Sequence, residues 1–290
     1  MAGKMTKRIV FGSLLIAVLV GLFVLDGWLD AHTALPRGIP LTGLVVLLVA
    51  VGFLEVSRLA GAVGPKPLAI SGILGSCLLA TAPFWWQLLS PAADVPGEML
   101  MLAAGVVVMA VFLEQMIRFR TERGIPRLGA TFLGIAYLAV GAGLILHMRL
   151  GFGLPTVVLF LAAVKFTDIG AYFTGSFLGK HKMIRWLSPG KTWEGLLGGL
   201  VTAGAASALV AWVFAVFDLP TALSWDAAIG FGVVVGLFGQ FADLCESLLK
   251  RSADIKDSGG LVPEFGGVLD MVDSPLLSVP IAMSLLYLMT

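Results

Sequence analysis

The residues of this chain best equipped for chemistry lie late in the sequence, where acids, bases and hydroxyls recur at helical spacing. Asp243, Glu246, Ser247 and Lys250 fall at i, i+3, i+4 and i+7, which puts carboxylates, a hydroxyl and an amine on one helix stripe, with Arg251 beside them. A solvated helix end accounts for Lys250 and Arg251. It does not account for Asp243, about two turns deeper in an apolar run, which needs a buried partner or an ion. Beyond the stripe come Lys256, Asp257 and Ser258, and then Asp270 and Asp273 just before the last apolar run. Capping of that run is a competing reading for Asp273, because carboxylates favour a helix N-terminus.

Two further clusters stand upstream. Lys165 and Asp168 lie at i, i+3 within an apolar segment, with Tyr172 one turn further on. A self-neutralising ion pair explains them as well as a functional one does. Between this pair and the acidic stripe runs Gly179-Lys180-His181-Lys182, Arg185, and then Ser188-Pro189-Gly190-Lys191-Thr192-Trp193-Glu194-Gly195. Cations and glycines that feed a helix start bring N–H groups, charge and a helix dipole to bear on phosphate. An ordinary cytoplasmic loop has the same composition, and the Walker A pattern is absent.

Oxygen donors of this kind suit hard cations such as Mg²⁺, whereas Zn²⁺ prefers the cysteines and histidines that are scarce here. Cys77 and Cys245 stand apart in apolar segments and read as reduced packing residues. The natural ligand of such a set is a metal-bound polyphosphate. Transfer to a phosphate nucleophile then requires metals and Lys/Arg to cancel charge between two polyanions. No general base is needed, since a phosphomonoester has its second pKa at about 6.

The run Ser247-Leu248-Leu249-Lys250-Arg251 with Lys256-Asp257-Ser258, followed by Pro263, Gly266-Gly267, Leu269-Asp270 and Asp273-Ser274, resembles the long signature of phosphatidate cytidylyltransferases. Asp168 to Gly175, Gly179-Lys180, Ser188-Pro189 and Lys191 to Gly195 resemble that family's other blocks, in the same order. The resemblance covers roughly residues 149 to 274. It implies that CTP and phosphatidic acid give CDP-diacylglycerol and pyrophosphate with Mg²⁺, and one further metal ion is compatible with it. It also implies Asp243, Asp270 and Asp273 as metal ligands, and Asp243, Lys250, Arg251 and Asp270 as the catalytic set. Asp168, Tyr172, Ser188, Lys191, Thr192, Ser247, Lys256 and Asp257 are then expected around the substrates. This chain departs from the pattern twice: Glu264-Phe265 stands where the family has Gly-His, and Met271 where it has Arg. Phe cannot donate as imidazole does, and Met cannot clamp a phosphate.

The elements that position these residues are membrane helices. Of the 290 residues 58% are hydrophobic and 13% charged, about half the charged share of a soluble domain. A near-neutral net charge of +1 gives no global field for nucleic acid. Apolar runs at 9–25, 41–63, 68–89, 99–117, 128–147, 154–176, 194–217, 226–249 and 274–290 predict nine transmembrane helices in an all-α polytopic fold. With the N-terminus cytoplasmic, 16 of the 19 Lys and Arg fall on the inner side, leaving Arg37 and Arg149 outside and Lys165 within a span. That partition predicts N-in, C-out in the inner membrane, with the active site facing the cytoplasm. The first run, after Lys4, Lys7 and Arg8, lacks a small-residue cleavage site and reads as a retained span. Glycine pairs such as Gly198-Gly199, and Gly230 with Gly232, read as close helix packing. The chain reads as one membrane-embedded domain, with N-terminal helices over 1–148 and catalytic helices over 149–290; a homodimer is compatible with it. A CTP-dependent lipid kinase, a catalytically silent relative and an ion-coupled transporter are the competing functions. The kinase would release CDP, and the transporter would turn over no nucleotide.

Overall fold

The computed structural model describes residues 2–89, 97–219, 221–255, 258–259 and 266–290. Its elements are α1 (Ala2–His32), α2 (Ile39–Val63), α3 (Ala69–Leu89), α4 (Gly97–Arg118), α5 (Gly124–Phe152), α6 (Leu154–Leu178), β1 (Lys182–Ile184), β2 (Ser188–Thr192), α7 (Trp193–Val216), α8 (Trp225–Ser252) and α9 (Leu269–Met289). Among the described residues nine helices are long and apolar enough to cross a membrane, α1 through its stretch Gly12–His32. Each expected span is one of them. Their exposed surface is rich in large apolar side chains, as lipid-facing helices require.

Several helices run further than hydropathy indicates, α5 and α9 among them. Helix α9 starts at Leu269 and takes Asp270 and Asp273 into its first turns. Helix α5 continues to Phe152 and includes Arg149, which was expected in an outer loop. Arg149 is buried because Asp26 and Asp30 of α1 neutralise it: its Nε donates to Asp26 Oδ2 at 2.5 Å and its Nη2 to Asp30 Oδ2. Charge ends a hydropathy window. It does not end a helix whose charge is paired.

The chain divides into two compact units, Met1–Leu150 with Ser252–Met271, and Gly151–Arg251 with Val272–Thr290. In the first, Phe53 of α2 is fully buried, and its ring fills the space that glycine leaves at Gly72 of α3 and Gly134 of α5. A Cβ at either position would run into that ring. In the second, Gly198 and Gly199 of α7 pack against Thr174 and Thr167 of α6, and Gly232 of α8 against Ser207 and Ala203 of α7. Close packing through small residues is therefore their use. Gly230 meets nothing within 4 Å and has no such use.

The second unit also holds what the all-α reading missed, an antiparallel hairpin pairing Lys182 with Thr192 and Ile184 with Ser188. Its strands, Lys-Met-Ile and Ser-Pro-Gly-Lys-Thr, are too short to show an apolar alternation, so periodicity had nothing to detect. Leu187 in its turn is buried and anchors it.

Candidate active site

Three carboxylates of the second unit converge. Asp243 and Glu246 project from α8 and Asp273 from α9, each offering an oxygen within 4.8 Å of the others. Glu246 and Asp273 are buried, while Asp243 is partly open. Oxygens on opposite sides of one Mg²⁺ stand about 4.2 Å apart, so these all-oxygen donors are spaced near what one hard divalent ion needs. Two lysines partner the acids. Lys191 Nζ lies 2.5 Å from Asp243 Oδ2, and Lys250 Nζ 2.5 Å from Glu246 Oε2, one turn along α8.

The lysine of β2 joins this group to α6. Lys191 Nζ donates to the Gln240 carbonyl at 2.9 Å, and the Gln240 side chain donates to Asp168 Oδ1 at 3.0 Å. Asp168 Oδ2 is 4.0 Å from Lys165 Nζ, the outer limit of an ion pair. Asp168 is thus tied into the polar seam instead of serving Lys165 alone. Ser247 follows Glu246 on α8, half-buried, and Ser188 sits half-buried at the start of β2. Arg251 is exposed at the end of α8, its Nε 3.5 Å from the Leu187 carbonyl. Tyr172 is 70% exposed and stands edge-on to Phe173.

The start of α7 differs from the expected phosphate cradle. Thr192 is its N-cap, buried, with Oγ1 accepting the Gly195 N–H at 3.1 Å. The Trp193 N–H donates to the His181 carbonyl at 2.9 Å. Glu194 accepts the N–H groups of Lys180 and His181 at 3.2 Å and lies 2.5 Å from His181 Nδ1. The hairpin therefore uses donors that the helix end could have offered an anion. The side chains of Lys191 and Lys250 offer charge for phosphate beside the carboxylates.

Asp270 belongs to the first unit, where it organises backbone. Its Oδ2 accepts the Gly267 N–H at 2.7 Å, the Ser258 N–H at 3.0 Å and the Ser258 hydroxyl at 2.9 Å. The same segment meets Glu55 of α2, whose oxygens accept the Val268 N–H at 3.0 Å and the Leu269 N–H at 2.7 Å. Lys256, Asp257, Glu264 and Phe265 lie outside the described residues, and Met271 is half-buried in α9.

Of the carboxylates expected to ligate a metal, Asp243 and Asp273 stand in the converging group, whose third member is Glu246. Sequence reasoning had Glu246 on the stripe without giving it this place. It passed over Gln240, which links Asp168 to Lys191, and Glu55. An acid inside an apolar span is itself a signal, and Glu55 at the middle of the 41–63 run carried it.

The sequence profile of the Cytidylyltransferase family matches residues 6–289, nearly the whole chain. A phosphatidate cytidylyltransferase of Bacillus subtilis (strain 168) is 31% identical over 260 residues, covering 86% of this chain and 90% of that protein. One from Brucella suis biovar 1 (strain 1330) is 35% identical over 188 residues, 65% of each chain, and one from Haemophilus influenzae is 41% identical over 116 residues, 39% of each. The chain thus spans 65% of the length of the Brucella relative it matches. Among the described residues, nine helices long and apolar enough to cross a membrane and a carboxylate group flanked by lysines agree with a match across almost every residue: the chain belongs to the cytidylyltransferase family.

Proposed function

We propose that this protein transfers the cytidylyl group of CTP to the phosphate of phosphatidic acid, giving CDP-diacylglycerol and pyrophosphate. The observation that carries the reading is the grouping of Asp243, Glu246 and Asp273 with Lys191 and Lys250. Acids paired with lysines are nearly neutral while no ligand is present. A polyphosphate entering with its metal takes the lysines to its own oxygens and leaves the carboxylates to the metal, so the charge of the group stays nearly balanced before and after binding.

In the reaction, a phosphatidate oxygen forms a bond to the α-phosphorus of CTP while the bond from that phosphorus to the α–β bridging oxygen breaks, and pyrophosphate leaves with the electron pair. Asp243, Glu246 and Asp273 would hold Mg²⁺, which when bound neutralises charge on the polyphosphate. Lys191, kept in place by the Gln240 carbonyl, and Lys250, one turn from Glu246, bring the incoming phosphate and the triphosphate to the same place. The attacking oxygen is already ionised at neutral pH, so no residue has to remove a proton. Asp168 orients Gln240 and through it the lysine of β2.

The Lys/Arg partition supports an inner-membrane location with the hairpin and the α8–α9 connection on the cytoplasmic side, where CTP is found. The test is product identity. Purified protein supplied with CTP, phosphatidic acid and Mg²⁺ should release pyrophosphate in step with CDP-diacylglycerol. Release of CDP together with a phosphorylated lipid would instead identify a CTP-dependent kinase and overturn the proposal.

A further inference from the structure

The turn that joins α4 to α5 in the first unit encloses a cation that the reaction proposed above does not use. Arg127, in the first turn of α5, is only 7% exposed. Its Nη1 donates to the Glu122 carbonyl at 3.2 Å, and its guanidinium lies over the Phe119 ring, 3.7 Å from the ring centre. Its Nε is buried without a hydrogen-bond partner. A guanidinium is always charged in a protein, and burying it without an opposite charge is costly. Among the described residues no carboxylate pairs with it. The acid of α4 is engaged elsewhere, since Glu114 accepts the Ser71 N–H at 2.7 Å and Arg118 Nη1 at 2.9 Å. Glu122 gives Arg127 only its carbonyl, and the residue itself is exposed.

The helix deepens this imbalance. Because α5 begins at Gly124, the positive end of its dipole and its first N–H groups lie in the same turn, where an anion is favoured and a cation is not. Arg120 and Arg123, both exposed, add two more cations. Both take the left-handed backbone that residues other than glycine rarely adopt, with φ +50° and +45°. Buried Gln115 holds that shape from α4, its Nε2 donating to the Arg120 carbonyl at 3.0 Å and the Glu122 carbonyl at 3.2 Å. Orientation in a membrane needs only charge, which a loose loop supplies. This turn is instead built around a cation that no acid answers. Beside it Ile117 and Ile125 are 78% and 88% exposed, bare apolar side chains next to the arginines.

We propose that the α4–α5 turn binds the phosphate of an anionic phospholipid. Arg127 and the start of α5 supply fixed positive charge, Arg120 and Arg123 add charged hydrogen bonds, and Ile117 and Ile125 lie against the acyl chains. A free phosphate would meet the same cations but has no use for the two isoleucines. The site is separate from the carboxylate group of the second unit, and it stands whether or not the chain transfers cytidylyl groups.

The test titrates phosphatidylglycerol into full-length protein in detergent, stripped of lipid. This lipid is anionic but is neither substrate nor product of the proposed reaction. Bound lipid is counted by native mass spectrometry and binding is followed by the rise in melting temperature, with phosphatidylcholine and inorganic phosphate as comparison arms. Wild type should retain phosphatidylglycerol in preference to phosphatidylcholine. Arg120→Gln combined with Arg123→Gln should raise the half-saturating phosphatidylglycerol concentration at least about tenfold. Arg58→Gln combined with Lys66→Gln, which removes as much charge from exposed positions of the first unit outside the turn, should leave it at the wild-type value. Arg127→Lys keeps the charge but loses the planar fork, and should weaken binding as well. Unchanged affinity in the Arg120 and Arg123 double variant, or an equal loss in the Arg58 and Lys66 one, would overturn the proposal, and neither result depends on how Arg127→Lys folds. A folded Arg127→Lys variant with wild-type affinity would also overturn it, by removing the guanidinium from the site. Inorganic phosphate that raises the melting temperature of wild type as much as the lipid does would show a site for free anions and overturn the lipid assignment.

Discussion

At the scale of single residues, the account depends on which acids hold metal and which cations hold phosphate. Asp243→Asn, Glu246→Gln and Asp273→Asn each remove one charged donor from a converging group. We expect each to lower kcat about a hundredfold or more, equivalent to about 2.7 kcal/mol of barrier, while the protein elutes as wild type in detergent. Activity retained in Asp243→Asn would exclude it as a ligand. Lys191→Gln loses a charged contact worth about 1.5 to 3 kcal/mol, so kcat/KM for CTP should fall about tenfold to a hundredfold in steady-state assays. An unchanged value would leave Lys191 as a partner of Asp243 alone. Asp243 was legible in the sequence because a deep acid demands a partner. Glu246 was legible as part of a stripe but not as a member of the group, because its neighbour Asp273 arrives from another helix, and spacing along one helix says nothing about convergence between two. The departures at Phe265 and Met271 are plain in sequence, and nothing in the structure around Met271 explains what replaces the arginine.

Elements position these residues, and two local devices carry testable weight. Thr192 caps α7, so Thr192→Ala should cost about 1 kcal/mol, seen as a lower melting temperature in detergent, and Thr192→Ser should restore it. An alanine variant that melts as wild type would remove the cap from the account. Arg149 with Asp26 and Asp30 ties α5 to α1 inside the first unit. Removing the arginine alone strands the buried Asp26 carboxylate and the partly buried one of Asp30, so Arg149→Met should cost about 3 to 5 kcal/mol, and adding Asp26→Asn and Asp30→Asn should recover much of it. Equal stability of Arg149→Met and wild type in thermal melts would contradict this. Hydropathy found every span, since length in an apolar run is a strong signal, but it cut α5 and α9 short at charges that pairing and capping accommodate. The hairpin was illegible for the opposite reason, because strands of three and five residues are too short to show a period. It also ties down the start of α7, through the Thr192 cap and the Trp193 N–H.

For the whole molecule, the proposed function rests on the topology that the Lys and Arg distribution predicts, with the hairpin on the cytoplasmic side. In a background without Cys77 and Cys245, a cysteine at Arg185 in the hairpin should react with an impermeant maleimide only from the cytoplasmic side, and one at Thr221 only from the other. Labelling of the hairpin in sealed cells would invert the topology. The order of the family's motifs was legible across the later half of the chain, whereas the division into two compact units, with residues 252–271 joined to the first, arises from contacts distant in sequence. The most direct measurement follows the label of α-phosphate-labelled CTP through purified protein with phosphatidic acid and Mg²⁺, beside the Asp243→Asn variant. The account predicts label in a lipid that migrates as CDP-diacylglycerol, matched by pyrophosphate and nearly lost in the variant. Label that stays in water-soluble nucleotide with folded wild-type protein, or enters lipid equally well with Asp243→Asn, would contradict it.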